Sequence, residues 1–533
     1  MSRADSPNNG KDFLPWLFFF LAIGTRVPFT SRLLLHMDSC QFALAMEKFD
    51  ITVHQPHPPG YFLYVMLGRL LNFFIADPNA VFVSISVFFS GLTVAAIYLL
   101  GKEIFERKIG IVAALLALSS PSLWFHGEVA LTYIVEAFFS TVIALFCWRI
   151  LKGEEKYLWI SVVTLAVAGG IRQNTPVFLL PVWLYSVRNL PLRKIVASLG
   201  VLAVTCLLWF IPMVWMSGGW DAYQGAFREL WMFNTGGGSL LGGEWGSFIL
   251  FSLKLVLFIV FGLGACLFPF CIAVFSLARW RQLKSLDMTK ALFFSLWVLP
   301  VVMFYICVFL SMSNSGYALI FLPALLILSS VSIFHIGNKF RERYRRKAYM
   351  SIISAVVILN TGAFFLWQTP VSYRWIRTHD RNLSALLADI KTFDPGDTAV
   401  FVKNLIYYSY RHVMVYLPEY RAYNVDVRTA PSTGERRKTF WGVNKETFLQ
   451  EEVALPGRIT RFVTPIDQED PKYYESAGLE VRGVTRSLFV ASGSVGLLLH
   501  VYPKFRVSFG GEEKVHEQEG RDAPDDFHRH PRL

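Results

Sequence analysis

Residues 37–65 read MDSCQFALAMEKFDITVHQPHPPGYFLYV. Asp38, Glu47, Asp50, His54 and His57 share one short polar stretch of an otherwise apolar chain. A carboxylate at a low-dielectric boundary is costly unless it is paired or has chemistry to perform. Asp38 precedes the apolar-periodic run SCQFALAMEKF and suits a helix N-cap, a role that leaves one oxygen free. Pro56, Pro58 and Pro59 hold extended backbone, and Gly60 permits a turn into the next helix. His54 and His57 are thereby fixed near a helix start beside Tyr61 and Tyr64, a setting suited to an anion such as phosphate. The plain alternative for each histidine is a surface polar residue at a loop–helix junction. His-x-x-His broken by prolines is a weak metal pattern.

Other candidates lie further along. In SLWFHGEVALTYIVEAF (122–138), His126, Glu128, Thr132 and Tyr133 form a polar patch at a span end. Glu136 is two turns deeper, where a carboxylate reads as a functional group or as half of an interhelical pair. Arg172, in GGIRQNTP, either clamps a phosphate bidentately or snorkels to headgroups. The glycines of FNTGGGSLLGGEWG (233–246) suit a mobile lid, with Glu244 as its carboxylate. Carboxylates, a helix start and one arginine fit transfer of a group from a membrane-embedded phosphate donor. A base takes a proton from the acceptor hydroxyl, and cationic or hydrogen-bonding groups stabilise the departing phosphate.

The elements that must position these residues are mostly apolar helices. Of 533 residues only 17% are charged, against about a quarter in soluble domains, and the mean hydropathy is +0.42. Apolar runs at 13–34, 81–100, 109–125, 129–150, 157–171, 175–187, 195–216, 247–278, 291–311, 316–336 and 348–368 predict about eleven transmembrane helices. The apolar segment 60–75 is assigned to the interface by charge. With it off the count, the loops 101–108, 149–156, 188–194, 279–290 and 337–347 share one side and hold 19 Lys or Arg, while the opposite loops hold Lys48, Arg69, Arg172 and Arg228. The basic side is then cytoplasmic. Because the basic residues sit in short loops between spans, the net charge of +12 reports topology and not nucleic-acid binding.

The expected organisation is a cytoplasmic tail (1–12), a transmembrane catalytic domain (13–368, first external loop 35–80), an extracytoplasmic α/β domain (369–506) and a disordered tail (507–533). Within 369–506, residues 375–393 have helical periodicity. The segments 397–404, 411–417, 458–465 and 487–503 read as strands. The six cysteines lack metal-ligand spacing and read as small buried residues. The first apolar run has no small-residue cleavage site and reads as a retained span.

An Asp just after the first span, followed by HPPGYFLY (57–64), resembles the GT-C glycosyltransferases. It is most similar to the branch related to protein O-mannosyltransferases and to bacterial members with an HPPGYPLY signature. SPSLWFHGEVALTY and SGYALIFLPALLIL (315–328) extend the likeness, which covers roughly residues 12–370. It implies an inverting transferase using a polyprenyl-phosphate sugar at the outer face. Asp38 would be the catalytic acid-base residue, Glu128 matches the later acidic position, and His57 and Tyr61 fall inside the signature. Many relatives carry a second acidic residue directly after the first. Here it is Ser39, which counts against a paired-carboxylate or metal-assisted mechanism.

The reading is therefore a GT-C-like α-helical polytopic membrane protein with a small C-terminal extracytoplasmic α/β domain. It moves a sugar from a polyprenyl-phosphate donor to a lipid, glycan or protein acceptor. Asp38 and Glu128 are assigned to catalysis, and His54, His57, Tyr61, Tyr133, Arg172 and Glu244 to substrate or phosphate. Membrane lipids are expected partners and nucleic acid is not. No metal ligand is assigned, and a divalent metal stays open as a cofactor. The expected location is a bacterial inner membrane, N-terminus in the cytoplasm and C-terminal domain outside. The alternative function is a transporter or flippase of a lipid-linked saccharide. The missing internal repeat counts against it.

Overall fold

The structure is a computed structural model that describes residues 12–235, 240, 245–277, 287–310, 314–402 and 406–429, and beyond them the segments 436–441, 461–467, 480–482, 486–489, 497–502 and 504–506. Its contacts divide the chain into two units, Met1–Arg377 and Thr378–Leu533.

The first unit is helical. Its elements run α1 (Leu14–Arg26), α2 (Met37–Glu47), α3 (Phe62–Asn72), α4 (Pro78–Ile104), α5 (Arg107–Ser119), α6 (Pro121–His126), α7 (Tyr133–Leu151), α8 (Tyr157–Ile171), α9 (Asn174–Val187), α10 (Leu192–Met216), α11 (Trp220–Thr235), α12 (Trp245–Leu263), α13 (Leu267–Leu277), α14 (Met288–Cys307), α15 (Leu322–Gly337) and α16 (Glu342–Leu366). Each apolar run expected to span coincides with one of these helices or with two joined end to end. Among the described residues six helices are long and apolar enough to cross a membrane, and Leu14–Phe29, Tyr157–Ile171 and Leu322–Gly337 are shorter apolar helices. Burial separates core from rim. The apolar windows of α4 and α7 are 72% buried, whereas that of α10 is 11% buried and presents an apolar surface outward. Such a surface calls for a lipid or protein cover.

α3 covers the ambiguous segment 60–75. Its 11 residues reach about 16 Å, half of a hydrocarbon core of ~30 Å. α4 starts sharply because Pro78 occupies its first turn and Asp77 accepts from the Ala80 amide at 2.6 Å.

Between α6 and α7 the chain leaves the helix over 127–132, although this segment is fully buried. The expected continuous span from 129 is therefore corrected to a start at Tyr133. Unwound backbone at depth survives where its carbonyls find donors. The Ser31 amide donates to Glu128 O at 2.9 Å. Ser86 Oγ donates to Val129 O, and Ser39 Oγ to Ala130 O, both at 2.7 Å. The Ser39 bond ties the first turn of α2 to the break, and Asp38 is its neighbour.

The second unit carries a six-stranded mixed sheet in the order β3–β2–β1–β4–β7–β6. β1 (Thr398–Val402) pairs parallel with β2 (Arg421–Thr429) and β4 (Arg461–Asp467). β3 (Arg436–Trp441), β7 (Leu497–Tyr502) and β6 (Arg486–Phe489) pair antiparallel, and β5 (Glu480–Arg482) and β8 (Lys504–Arg506) form a separate pair. The strand expected at 411–417 is instead a helix, Tyr410–Tyr416. Its start is closed by a reciprocal cap in which Ser409 and His412 satisfy each other's backbone amides, overriding the β-branched pattern. The tail 507–533 lies outside the described residues.

Candidate active site

Asp38 does not cap α2. The cap is His36, whose Nδ1 accepts from the Asp38 amide at 3.0 Å. Asp38 stands in the first helical turn, where a negative charge is favoured by the helix dipole. Its carboxylate is 24% exposed and lies 3.5 Å from His36 Nδ1 and 3.8 Å from His57 Nδ1, separations wider than a hydrogen bond. The carboxylate is thus placed by its helix without being consumed by a partner.

The loop 54–61 is bent at both ends by non-glycine residues in the left-handed region, His54 (φ 53°) and Tyr61 (φ 47°), with Gly60 at φ 127°. Such backbone persists where surrounding contacts over-determine it. Gln173 supplies one, donating to Pro59 O at 2.9 Å and accepting from Tyr223 OH at 3.2 Å. A Cβ on Gly60 would meet Met213 Sδ at 2.5 Å. The bend brings His57 over α2, with Nδ1 2.6 Å from Gln41 Oε1 and Nε2 3.0 Å from Tyr61 OH.

Beyond Tyr61 lies Arg172, which caps the end of α8 and is 6% exposed. Its guanidinium sits over three tyrosine rings, 4.4 Å from the centre of Tyr133, 5.6 Å from Tyr317 and 5.8 Å from Tyr61. Nε pairs with Glu136 Oε2 at 3.1 Å, and Nη1 donates to Thr132 Oγ1 at 3.2 Å. Thr175 Oγ1 donates to the other Glu136 oxygen at 2.9 Å. Nη2 makes no hydrogen bond to a described residue.

Burial pushes the Asp38 carboxyl up, but in the acid range where it titrates the positive charges of His36, His57 and Arg172 together outweigh burial and hold the group below its usual value. Burial pushes the His57 and His36 imidazoles down, and the opposing charge of Asp38 does not compensate. At neutral pH both imidazoles are uncharged, Asp38 is ionised, and Arg172 is the standing cation.

The structure thus brings together Asp38, His57, Tyr61, Tyr133 and Arg172 among the residues assigned from sequence. Glu128 goes elsewhere. Its Oε1 accepts from Trp124 Nε1 at 2.6 Å, and Arg26 stacks on the Trp124 ring at 4.2 Å. Glu128 thereby belongs to the Trp124–Arg26 cluster and is not among the groups whose charge acts on Asp38. His54 closes a one-turn 3-10 segment, and the contacts around Asp38 run through His57 instead. Tyr64 is core, stacked on Phe82 at 5.0 Å. Glu244 lies outside the described residues. Two partners were not singled out from sequence, Gln41 and Tyr317, while Glu136, read there as a functional group or half of an interhelical pair, is paired with Arg172. Gln41 had a signal, because it sits three residues after Asp38 and shares its helix face. Among the described residues no three His, Cys, Asp or Glu side chains converge as metal ligands. The Ser39 hydroxyl is spent on Ala130.

The fold is that of the GT-C glycosyltransferases. The crystal structure of ArnT from Cupriavidus metallidurans bound to undecaprenyl phosphate aligns over 91% of this chain and 96% of its own, at a TM-score of 0.55 and 12% identity. The apo form of the same protein aligns over 91% and 98%, at 0.52 and 12% identity. The family model described as the protein O-mannosyl-transferase TMEM260 N-terminal domain matches residues 38–190. That interval runs from Asp38 through Arg172. No curated protein sequence matches the chain. The resemblance to the O-mannosyltransferase-related GT-C branch is borne out by the family model and the fold.

Proposed function

We propose that the protein is an inverting glycosyltransferase that moves a sugar from a polyprenyl phosphate to a hydroxyl-bearing acceptor. The observation that carries this reading is the pairing of a carboxylate free of hydrogen-bonded partners, Asp38, with a buried arginine, Arg172, within one polar cluster. Asp38 accepts the acceptor's O–H proton. The acceptor oxygen then bonds to the anomeric carbon as the carbon–oxygen bond to phosphate breaks. The phosphate leaves with that electron pair, and Arg172 Nη2 offers it a charged donor. Tyr61, Tyr133 and Tyr317 hold the guanidinium flat while Glu136 and Thr132 fix its other edges.

The O-mannosyl-transferase description of the matched family supports a hexosyl donor and a protein hydroxyl among the acceptor classes. The charge asymmetry of the loops supports a site on the non-cytoplasmic face of a bacterial inner membrane, with residues 369–506 as an extracytoplasmic domain. In this reading His57 positions neighbouring groups and does not bind phosphate, and Glu128 is structural.

The test uses purified full-length protein, a panel of polyprenyl-phosphate sugars and crude membrane acceptors. Release of free polyprenyl phosphate with matching sugar transfer, followed by mass spectrometry, is the expected result. Movement of an unchanged lipid-linked sugar across liposomes, with no release, contradicts it and makes the protein a flippase.

A further inference from the structure

The contacts of His57 point to a residue with no assigned role. Its Nδ1 has two oxygen neighbours, Gln41 Oε1 at 2.6 Å and Asp38 Oδ1 at 3.8 Å. Only the first is within hydrogen-bonding distance. An amide oxygen accepts and does not donate, so the proton between Gln41 and His57 belongs to Nδ1. In a neutral imidazole Nε2 is then bare, and the Tyr61 hydroxyl, 3.0 Å away, must be the donor. Proton direction along Tyr61, His57 and Gln41 is thus fixed from the Gln41 end.

We propose that Gln41 is a positioning residue that takes the Nδ1–H of His57, so that Asp38 is spared a hydrogen bond from the imidazole that would weaken it further as a base. This deepens the transferase reading and rests on it for its catalytic consequence, but the proton arrangement stands on geometry alone. A carboxylate that accepts a strong hydrogen bond is a weaker base. Were Gln41 absent, Asp38 would be the nearest oxygen for the same N–H. The groups facing His57 are Asp38 and Gln41 from α2, His36 at its cap, Tyr61 from the start of α3 and Arg172 from the end of α8. Arg172 and His36 act against a positive imidazole, in keeping with the neutral form.

The experiment is solid-state ¹⁵N spectroscopy of the full chain, labelled at its 11 histidines and reconstituted in lipid bilayers at neutral pH. The His57 signals are those missing from His57→Gln. The expected wild-type result is a protonated Nδ1 and a bare Nε2. Gln41→Glu puts a carboxylate on the same N–H and is expected to give a doubly protonated imidazolium. Tyr61→Phe is expected to keep Nδ1–H while shifting the Nε2 signal. A wild-type His57 carrying its proton on Nε2, or a Gln41→Glu spectrum identical to wild type, overturns the proposal. Turnover is read on the same preparations. Gln41→Glu is expected to lose activity about tenfold at neutral pH and to regain it at alkaline pH, where the imidazolium deprotonates. A loss of equal size at every pH is a structural effect and also overturns it. Absence of wild-type turnover with every donor would instead remove the transferase reading, while the spectra still decide the role of Gln41.

Discussion

Glu136 Oε2 lies 3.1 Å from Arg172 Nε, and both side chains are almost fully withdrawn from solvent. The pair joins the first turn of α7 to the end of α8. Removing one partner from such a pair strands a buried charge, at a cost of about 3–5 kcal/mol. Glu136→Ala is therefore expected to lower the denaturation temperature in detergent markedly, and Glu136→Gln, which can still accept from Thr175, to lower it less. A Glu136→Ala variant as stable as wild type would contradict the pairing.

Glu128 and Asp38 are expected to separate cleanly on substitution. Glu128→Gln keeps an oxygen for Trp124 Nε1 and leaves the Trp124–Arg26 stack in place. Its stability should fall by about 1 kcal/mol as that hydrogen bond weakens, while turnover per folded molecule stays near wild type. Loss of turnover with unchanged stability would return Glu128 to the chemistry.

Gly316 packs against the ring that carries Arg172. A Cβ there would stand 2.2 Å from Tyr133 Cγ, so Gly316→Ala must displace the ring from its 4.4 Å contact with the guanidinium. A desolvated cation–π contact is worth about 1–2 kcal/mol. The donor KM should accordingly rise about tenfold, with a smaller change in kcat. An unchanged donor KM would mean that the tyrosines do not set the arginine.

Acidification should weaken the fold through His57 and His36. Burial lowers both imidazoles, so the native state binds fewer protons than the unfolded chain. Their contribution is present in full above the unfolded value of about 6.5 and is lost as pH falls through the native values. Asp38, also lowered, adds stability above about 3.9 that disappears at still lower pH. Denaturation temperature should thus fall from neutral towards mildly acid pH, with a shallower slope in His57→Gln. An equal slope in that variant would show that His57 is not held neutral.

The helices were legible because apolar length is written directly in composition, and α3 differs from the spans in its shorter length of 11 residues. The break at 127–132 was not legible. The hydroxyls of Ser39 and Ser86 that sustain it come from α2 and α4, far away in sequence. Asp38 stands out as a carboxylate at an apolar boundary, whereas Gln41, three residues on along the same helix face, meets its partner only through a loop that folds back over α2. Glu128 was assigned to chemistry on depth and family position. Only the packing reveals Arg26 and Trp124 as its partners. The helix at 410–416 was read as a strand because the Ser409–His412 cap is a side-chain event that apolar periodicity does not encode.

The central claim is that Asp38 is the base. Its most direct test is turnover of Asp38→Asn beside wild type, with a polyprenyl-phosphate sugar that wild type consumes and with matched denaturation temperatures. Asparagine keeps the size and the α2 start but cannot accept the acceptor's proton. The expected result is a loss of release by at least about a hundredfold with donor binding retained. Turnover near wild type in a folded Asp38→Asn protein would remove Asp38 from the mechanism.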